Sequence, residues 1–265
     1  MRSTMAKNKG RDTLAFCLGI LLIGALMHLI GAAKGNHLVF PAVGDILDAF
    51  FRLLGQSGTY RQMGVTLLHL IEALALSTLL GGLLGLLSAA SPFIRTLFKP
   101  LLFFLRSIPM IVMVVAVMIL MPRTQYERVP RITGCLLLVP LISEAVAEGC
   151  RRIEPEMIDV YRMNSRFNLR VLLQVYLPLM AGYLKQAYVS CVGMGLRMVV
   201  STEYLVQTRH SLGKAMFDQN YHNEYANVYA YALLMILLVL LLSELPTQLI
   251  KALQKRKKGT PALPG

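Results

Sequence analysis

The sequence predicts an all-α, polytopic membrane protein with about six transmembrane helices in a single domain, residues 1–265. Hydrophobic residues make up 55% of the chain and charged residues only 15%, whereas a soluble domain of this size needs a more polar surface. The net charge of +13 agrees with the excess of Lys and Arg in cytoplasmic loops. Nucleic-acid binding is not predicted, because the basic residues do not mark out a soluble domain.

Apolar runs of membrane-spanning length define the six predicted helices, since a bilayer span needs about 20 mostly apolar residues. The first two runs contain no charged residue, Arg106 interrupts the third, and Lys185 and Arg197 lie in the fifth. The fourth run is short for a bilayer. The predicted spans are 13–33, 73–94, 101–121, 132–147, 177–206 and 225–250.

The distribution of Lys and Arg between the loops predicts the orientation of the spans. With six spans, one side holds both termini, the 92–100 loop and the 151–170 segment, and carries 16 of these residues against 8 on the other side. Both termini and the 151–178 segment are therefore expected in the cytoplasm. No small-residue cleavage site follows the basic N-terminus, so the first run is expected to persist as a span. The tail, 256–265, is expected to be disordered.

The outer loop, from residue 35 to about 64, contains one amphipathic run, VGDILDAFFRLL. Asp45, Asp48 and Arg52 recur at helical spacing, with apolar residues between them. This pattern predicts a helix at the outer membrane interface.

Motifs for covalent chemistry are missing from the sequence. It contains no GxxxxGK[ST] phosphate loop, no HExxH and no GxSxG. The four cysteines lack metal-ligand spacing and are expected to be buried thiols, and His69, in an apolar run, is expected to be a packing residue rather than a ligand. No metal or cofactor is expected in this chain. Transport, with energy supplied elsewhere, is the predicted class.

The polar segment 151–178 lies between two apolar runs and carries five arginines, at 151, 152, 162, 166 and 170. Pro155 suits the first position of a helix, and Asn164-Ser165 could end it. A second short helix is predicted over about 168–176, and Leu177-Pro178 begins the next span. The segment is therefore predicted to be a basic helix–turn–helix elbow on the cytoplasmic side.

This elbow resembles the coupling loop of binding-protein-dependent ABC importer permeases. That loop runs Glu-Ala-Ala, three residues, Gly, nine residues, Ile, one residue, Leu-Pro. The spacing aligns Ser165 with the Gly and places a literal Glu144-Ala145 at the wrong distance from the Leu-Pro. The other matching positions are Asp159, Val160 and Tyr161 for Glu-Ala-Ala, Val175 for Ile, and Leu177 and Pro178 for Leu-Pro.

Three further stretches are similar to the same family. Residues 81–120, with glycines at 81, 82 and 85, resemble its second and third helices. The sequence VVSTEY, 199–204, resembles the Val-x-Ala-Glu of its fifth helix, and Ser211-Leu212-Gly213 resembles the Gly-Leu-Gly that follows. Within this family, the sequence most resembles the subgroup that imports nitrate, taurine, alkanesulfonates and pyrimidine precursors.

The resemblance implies a multi-pass protein of the bacterial inner membrane that pairs with a second permease copy or paralogue. The elbow would dock on ABC ATPase subunits, which bind ATP-Mg, and a substrate-binding protein would deliver cargo from outside. The permease itself would have no enzymatic activity. Arg162, inside the matched motif, is the expected docking residue.

Charged residues within spans are expensive and indicate function. Glu72, Arg106, Arg197 and Glu203 are candidates to line a translocation pathway. Arg106 and Glu203 lie near span ends, where their side chains could instead reach the interface. Arg197 lies deeper and is expected to face either the pathway, which would favour an anionic cargo, or an acid such as Glu72. The glycines at 81, 82 and 85 are expected to serve helix packing.

Two other classes of protein remain as alternatives. An energy-independent channel or secondary carrier would be expected to show inverted repeats. A membrane enzyme would be expected to show paired acids or a nucleophile set within the spans. Neither signal is evident in the sequence.

Overall fold

The computed structural model describes the backbone of residues 41–152 and 177–257, with side chains described up to residue 242 except at 177 and 179. All regular structure in these ranges is helical. The helices are α1 (Val43–Gly55), α2 (Ser57–Ala90), α3 (Pro92–Ser107), α4 (Met110–Leu120), a 3-10 helix (Arg123–Arg128), α5 (Val129–Arg151), α6 (Leu177–Val206), α7 (Leu212–Tyr221) and α8 (Tyr225–Lys257). The all-α prediction is confirmed.

The described residues divide into two compact units. One is drawn from Met1–Tyr60 and Met216–Leu234, and the other from Arg61–Ala215 and Met235–Gly265. In the first, α1 is the predicted amphipathic helix, with Ile46, Ala49 and Leu53 buried along one face.

Four helices of the described residues are candidate membrane spans, against five predicted for these ranges. Within the described ranges, Ser57–Ala90, Arg123–Arg151, Met180–Val206 and Tyr225–Leu242 are long and apolar enough to cross a bilayer. If the bent pair α3 and α4 is counted as one broken span, the number is five. The remaining predicted span, 13–33, lies outside the described residues.

The starts of α2 and α3 differ from the prediction because hydropathy measures apolar content rather than helix length. Helix α2 begins at Ser57, well before the predicted residue 73, since its first turns are polar but helical. The predicted 92–100 loop is also helical and belongs to α3, in which Pro92 occupies the first turn and Ser91 is the cap that accepts from the Ile94 amide.

The third predicted span is not one continuous helix. Between α3 and α4 the chain turns by 106°. Pro109 has no amide hydrogen and disfavours the helical conformation in the residue before it, and Ile108 accordingly adopts φ −68° and ψ 130°. The break separates an amphipathic α3, which has no buried residue, from an apolar α4.

Helix α5 is the most buried of the candidate spans and extends beyond the predicted 132–147. Helix α2 packs closely on it through glycines. A Cβ at Gly85 would lie 2.6 Å from the Ser143 carbonyl oxygen, and one at Gly81 would lie 2.8 Å from that of Val139. The packing role is confirmed for these two glycines, whereas Gly82 has open space around its Cβ position.

Helix α6 also packs on α5, and its limits match the predicted 177–206. A Cβ at Gly195 would lie 2.8 Å from Leu70 and 3.2 Å from Leu138, so α2, α5 and α6 meet at this glycine. Cys135 and Cys191 are buried free thiols, as expected. Helix α8 continues to Lys257, so the first two residues of the predicted disordered tail are helical; 258–265 lie outside the described residues.

Candidate functional site

Helix α6 exposes one continuous stripe of side chains along its length. The members are spaced by three or four residues, which places them on one face of an α-helix. Arg197 lies at the centre of the stripe, whose remaining members are Tyr183, Gln186, Ser190, Met194, Ser201 and Leu205.

This stripe differs chemically from the exposed faces of the neighbouring spans. Between residues 68 and 90, α2 exposes only Leu, Ile and Ala, and the part of α8 from 233 to 241 exposes only Leu and Ile. Those faces suit hydrocarbon. Gln186 and Arg197 would be costly against lipid, because a bilayer interior offers no hydrogen-bond partners, whereas the Ser190 hydroxyl donates to the Gln186 carbonyl oxygen at 3.2 Å. The α6 stripe therefore faces water or another protein surface.

Arg197 has no ion-pair partner among the described residues. Its side chain is exposed, and Nε donates a hydrogen bond to the Gly193 carbonyl oxygen at 3.3 Å. The alternative pairing with Glu72 is wrong, because Glu72 pairs with Arg131 at 2.9 Å. Arg197 thus presents an uncompensated positive charge on the polar face of a membrane-spanning helix.

Glu203, close to the end of the same helix, lies inside the bundle and forms a buried hydrogen-bonded cluster. Its Oε2 accepts from the Thr66 hydroxyl at 2.8 Å and from the Gly213 amide at 3.2 Å. Its Oε1 lies 2.8 Å from His69 Nδ1. Glu203 is 0% exposed, so the expectation that it could reach the interface is wrong. His69 is a satisfied packing residue, as predicted.

The Glu203 cluster fixes the start of α7. The Thr66 hydroxyl accepts from the Leu212 amide at 3.0 Å, and the Ser211 hydroxyl accepts from the Lys214 amide at 3.1 Å. These acceptors satisfy first-turn amides that have no partner within the helix. A Cβ at Gly213 would lie 2.5 Å from Glu203 Cβ, so only glycine fits. The segments VVSTEY and Ser211-Leu212-Gly213 are separate in the sequence, and the hydrogen bond from the Gly213 amide to Glu203 joins them in the structure.

Arg106, the remaining pathway candidate, lies at the C-terminal end of α3. It pairs with Glu144 of α5 at 2.7 Å, and both side chains are about half exposed. Arg106 and Glu144 belong to α3 and α5, so Arg106 is not a member of the α6 stripe.

The helices on either side of the predicted coupling segment pack against each other. A Cβ at Gly149 would lie 3.1 Å from Met180, and Cys150 Sγ lies 3.3 Å from Met180 Sδ. At the end of α5, Glu148 bonds both Arg151 and Arg152, and this hydrogen bond raises the pKa of the Arg152 guanidinium. Residues 153–176 lie outside the described ranges, so the coupling roles assigned between Pro155 and Val175 stay predictions; Leu177 begins α6, and Pro178 is exposed.

Comparisons with known proteins agree with this architecture. One chain of a structure described as inward-facing conformations of the MetNI methionine ABC transporter is similar to this protein, with 18% sequence identity and a TM-score of 0.59. The match covers 74% of this chain and 94% of that one, which shows a shared fold. A comparison with curated proteins gives no match in sequence.

The family profile described as "binding-protein-dependent transport system inner membrane component" matches residues 81–259. That range contains α3 to α8 and most of the glycine-packed core. Because the match covers more than half of the sequence, the chain belongs to the family of inner membrane components of binding-protein-dependent transport systems.

Proposed function

We propose that the exposed stripe of α6 lines the translocation pathway of an ABC importer, opposite a second permease copy or paralogue. The observation that carries this proposal is the polarity of the stripe, which is unlike the apolar exposed faces of α2 and α8. A second subunit facing the stripe would enclose a polar route across the membrane, in which Gln186, Ser190 and Ser201 offer hydrogen bonds to a hydrated cargo.

The proposed cargo is a small anion. Arg197 supplies a fixed positive charge without a partner in the described residues, and a fixed charge in a narrow route attracts the opposite sign. The resemblance to the nitrate, taurine and alkanesulfonate subgroup favours a nitrate- or sulfonate-like ion. A pyrimidine-type nutrient is the other cargo class that this resemblance suggests.

Energy would come from separate ATPase subunits that bind ATP-Mg and dock on the 151–178 segment. This segment connects the end of α5 to the start of α6, and these two helices pack closely through Gly149 and Met180. A rigid displacement of the elbow would therefore move both helices together, including the α6 stripe. A substrate-binding protein would deliver cargo to the outer side, with both termini of the permease in the cytoplasm.

The pathway proposal predicts a pattern of thiol accessibility. In a background without the four native cysteines, Ser190→Cys and Ser201→Cys should react with a membrane-impermeant thiol reagent. Leu83→Cys and Leu240→Cys, on apolar exposed faces, serve as matched controls. The stripe thiols should react at least about tenfold faster, because only a hydrated thiol ionises readily. The measurement is the labelling rate in the complete transporter, with and without ATP.

Equal labelling of stripe and control positions in both nucleotide states would contradict the pathway proposal. Transport by each unlabelled variant checks that the protein remains folded and assembled.

The coupling proposal predicts that changing Asp159 and Arg162 together to Ala weakens ATPase binding roughly tenfold, as expected for loss of one charged contact region. The measurement is co-purification of the ATPase with the permease. Changing the exposed pair Arg123 and Arg128 to Ala is the matched control. Unchanged ATPase recovery, or stable energy-independent transport by the isolated permease, would instead favour a channel or secondary carrier.

A further inference from the structure

A cleft of about 460 Å³ lies between α3 and α5, close to the C-terminal end of α2. Its lining includes Ser88, Arg95, Lys99, Arg106 and Arg151. We propose that this cleft binds the phosphate group of an acidic phospholipid. The site is separate from the polar stripe of α6 and does not depend on which cargo is transported.

Three of the four cations of the cleft lie on one face of α3. Arg95, Lys99 and Arg106 of α3 fall within about 40° of one another around the helix axis, at 3.6 residues per turn. Arg151 adds a fourth cation from the end of α5. Three cations from one face of α3 and one from the end of α5 therefore line a single cleft, which suits an oxyanion.

Positive charge exceeds negative charge in this cleft. Arg106 is compensated by Glu144 at 2.7 Å, and Arg151 by Glu148 at 2.6 Å. Arg95 and Lys99 have no ion-pair partner in the described parts of the chain. These two neighbouring cations repel each other, and a phosphate between them would remove the repulsion and bridge both side chains.

Apolar surface beside the cations favours a lipid over a soluble phosphate. Leu102, Phe103 and Pro140 also line the cleft, and they suit the glycerol and first methylene groups of a phospholipid. The opposite face of α3 exposes Phe93 and Phe104, at 75% and 58%. Such a helix suits hydrocarbon along one face and headgroups along the other, which brings phospholipid to the mouth of the cleft.

A lipid bound here would brace α3 against α5. These helices have few direct contacts, and no residue of α3 is buried. The site adjoins Arg151, where the predicted coupling segment begins. A phosphate that bridges Arg95 and Lys99 of α3 to Arg151 of α5 would hold α3 in place while the coupling segment moves.

Native mass spectrometry of the permease purified with its partner subunits tests the proposal. The probes are phosphatidylglycerol, phosphatidylcholine and inorganic phosphate. Wild type should retain phosphatidylglycerol in preference to phosphatidylcholine, and inorganic phosphate should not displace it. Changing Arg95 and Lys99 together to Gln should weaken phosphatidylglycerol binding roughly 30-fold. Changing Arg123 and Arg128 to Gln, exposed cations outside the cleft, should have little effect.

The variant Arg95→Lys with Lys99→Arg keeps both charges and should retain binding, which separates loss of charge from misfolding. Unchanged phosphatidylglycerol affinity in the Gln variant would overturn the proposal. Equal binding of both lipids with full competition by inorganic phosphate would also overturn it, because the cleft would then be a site for soluble anions.

Discussion

Replacing Glu203 with alanine should destabilise the folded permease by about 3–5 kcal/mol, the range for removing one member of a buried charged network. The change removes the acceptor for the Thr66 hydroxyl, His69 and the Gly213 amide at once. Each of these groups is buried and has no access to water in its place. The expected result is a large fall in the thermal unfolding midpoint of the purified protein in detergent.

Glu203→Gln should have a much smaller effect, under about 1.5 kcal/mol. The amide oxygen can accept from Thr66 and Gly213, and the amide nitrogen can donate to Nδ1 of neutral His69 in its other tautomer. Glu144→Ala is a matched control. Glu144 is an acid on a neighbouring helix, and its side chain is 58% exposed, so loss of its ion pair costs little. Equal unfolding midpoints for Glu203→Ala and Glu144→Ala would show that the cluster does not stabilise the fold.

The sequence is sufficient to predict the helical class and most spans, because apolar runs of bilayer length have no other stable arrangement. It is less informative about helix ends. Thr66 and His69 lower the hydropathy of the N-terminal part of α2, although this part is helical. Their polar side chains are tolerated inside the bundle because they hydrogen-bond Glu203 and the Leu212 amide. The break at Pro109 is a local signal that hydropathy alone does not register.

The site is predictable only where a signal lies within one helix. The spacing of Gln186, Ser190, Arg197 and Ser201 is present in the sequence, but which face of α6 is left uncovered depends on how α2 and α5 pack. The partner of Glu72 likewise depends on tertiary neighbours: Arg131 lies in the first turn of α5, which begins at Val129, three residues before the span that hydropathy predicts. In the Glu203 cluster, Thr66 and the Leu212 amide that it accepts from lie 146 positions apart, and no periodicity connects them.

Replacing Arg197 with Gln should reduce anion transport by roughly 10- to 100-fold, as expected for loss of a charge-assisted hydrogen bond. The fold should not change, because Arg197 is exposed and its described bond is to the carbonyl of its own helix. The measurement is ATP-dependent uptake of nitrate and of taurine by the complete transporter in proteoliposomes. Recovery of the ATPase subunits with the variant checks assembly.

Two further variants test whether transport requires a positive charge at position 197 or only a positive charge on the helix. Arg197→Lys keeps a cation on the stripe and should restore most of the uptake, whereas Lys185→Gln removes a cation from the same helix outside the stripe and should have little effect. The stripe would then select its cargo through one positioned charge. Wild-type uptake of both anions by Arg197→Gln, with the ATPase still bound, would refute an anion route along this face of α6 while leaving the family assignment intact.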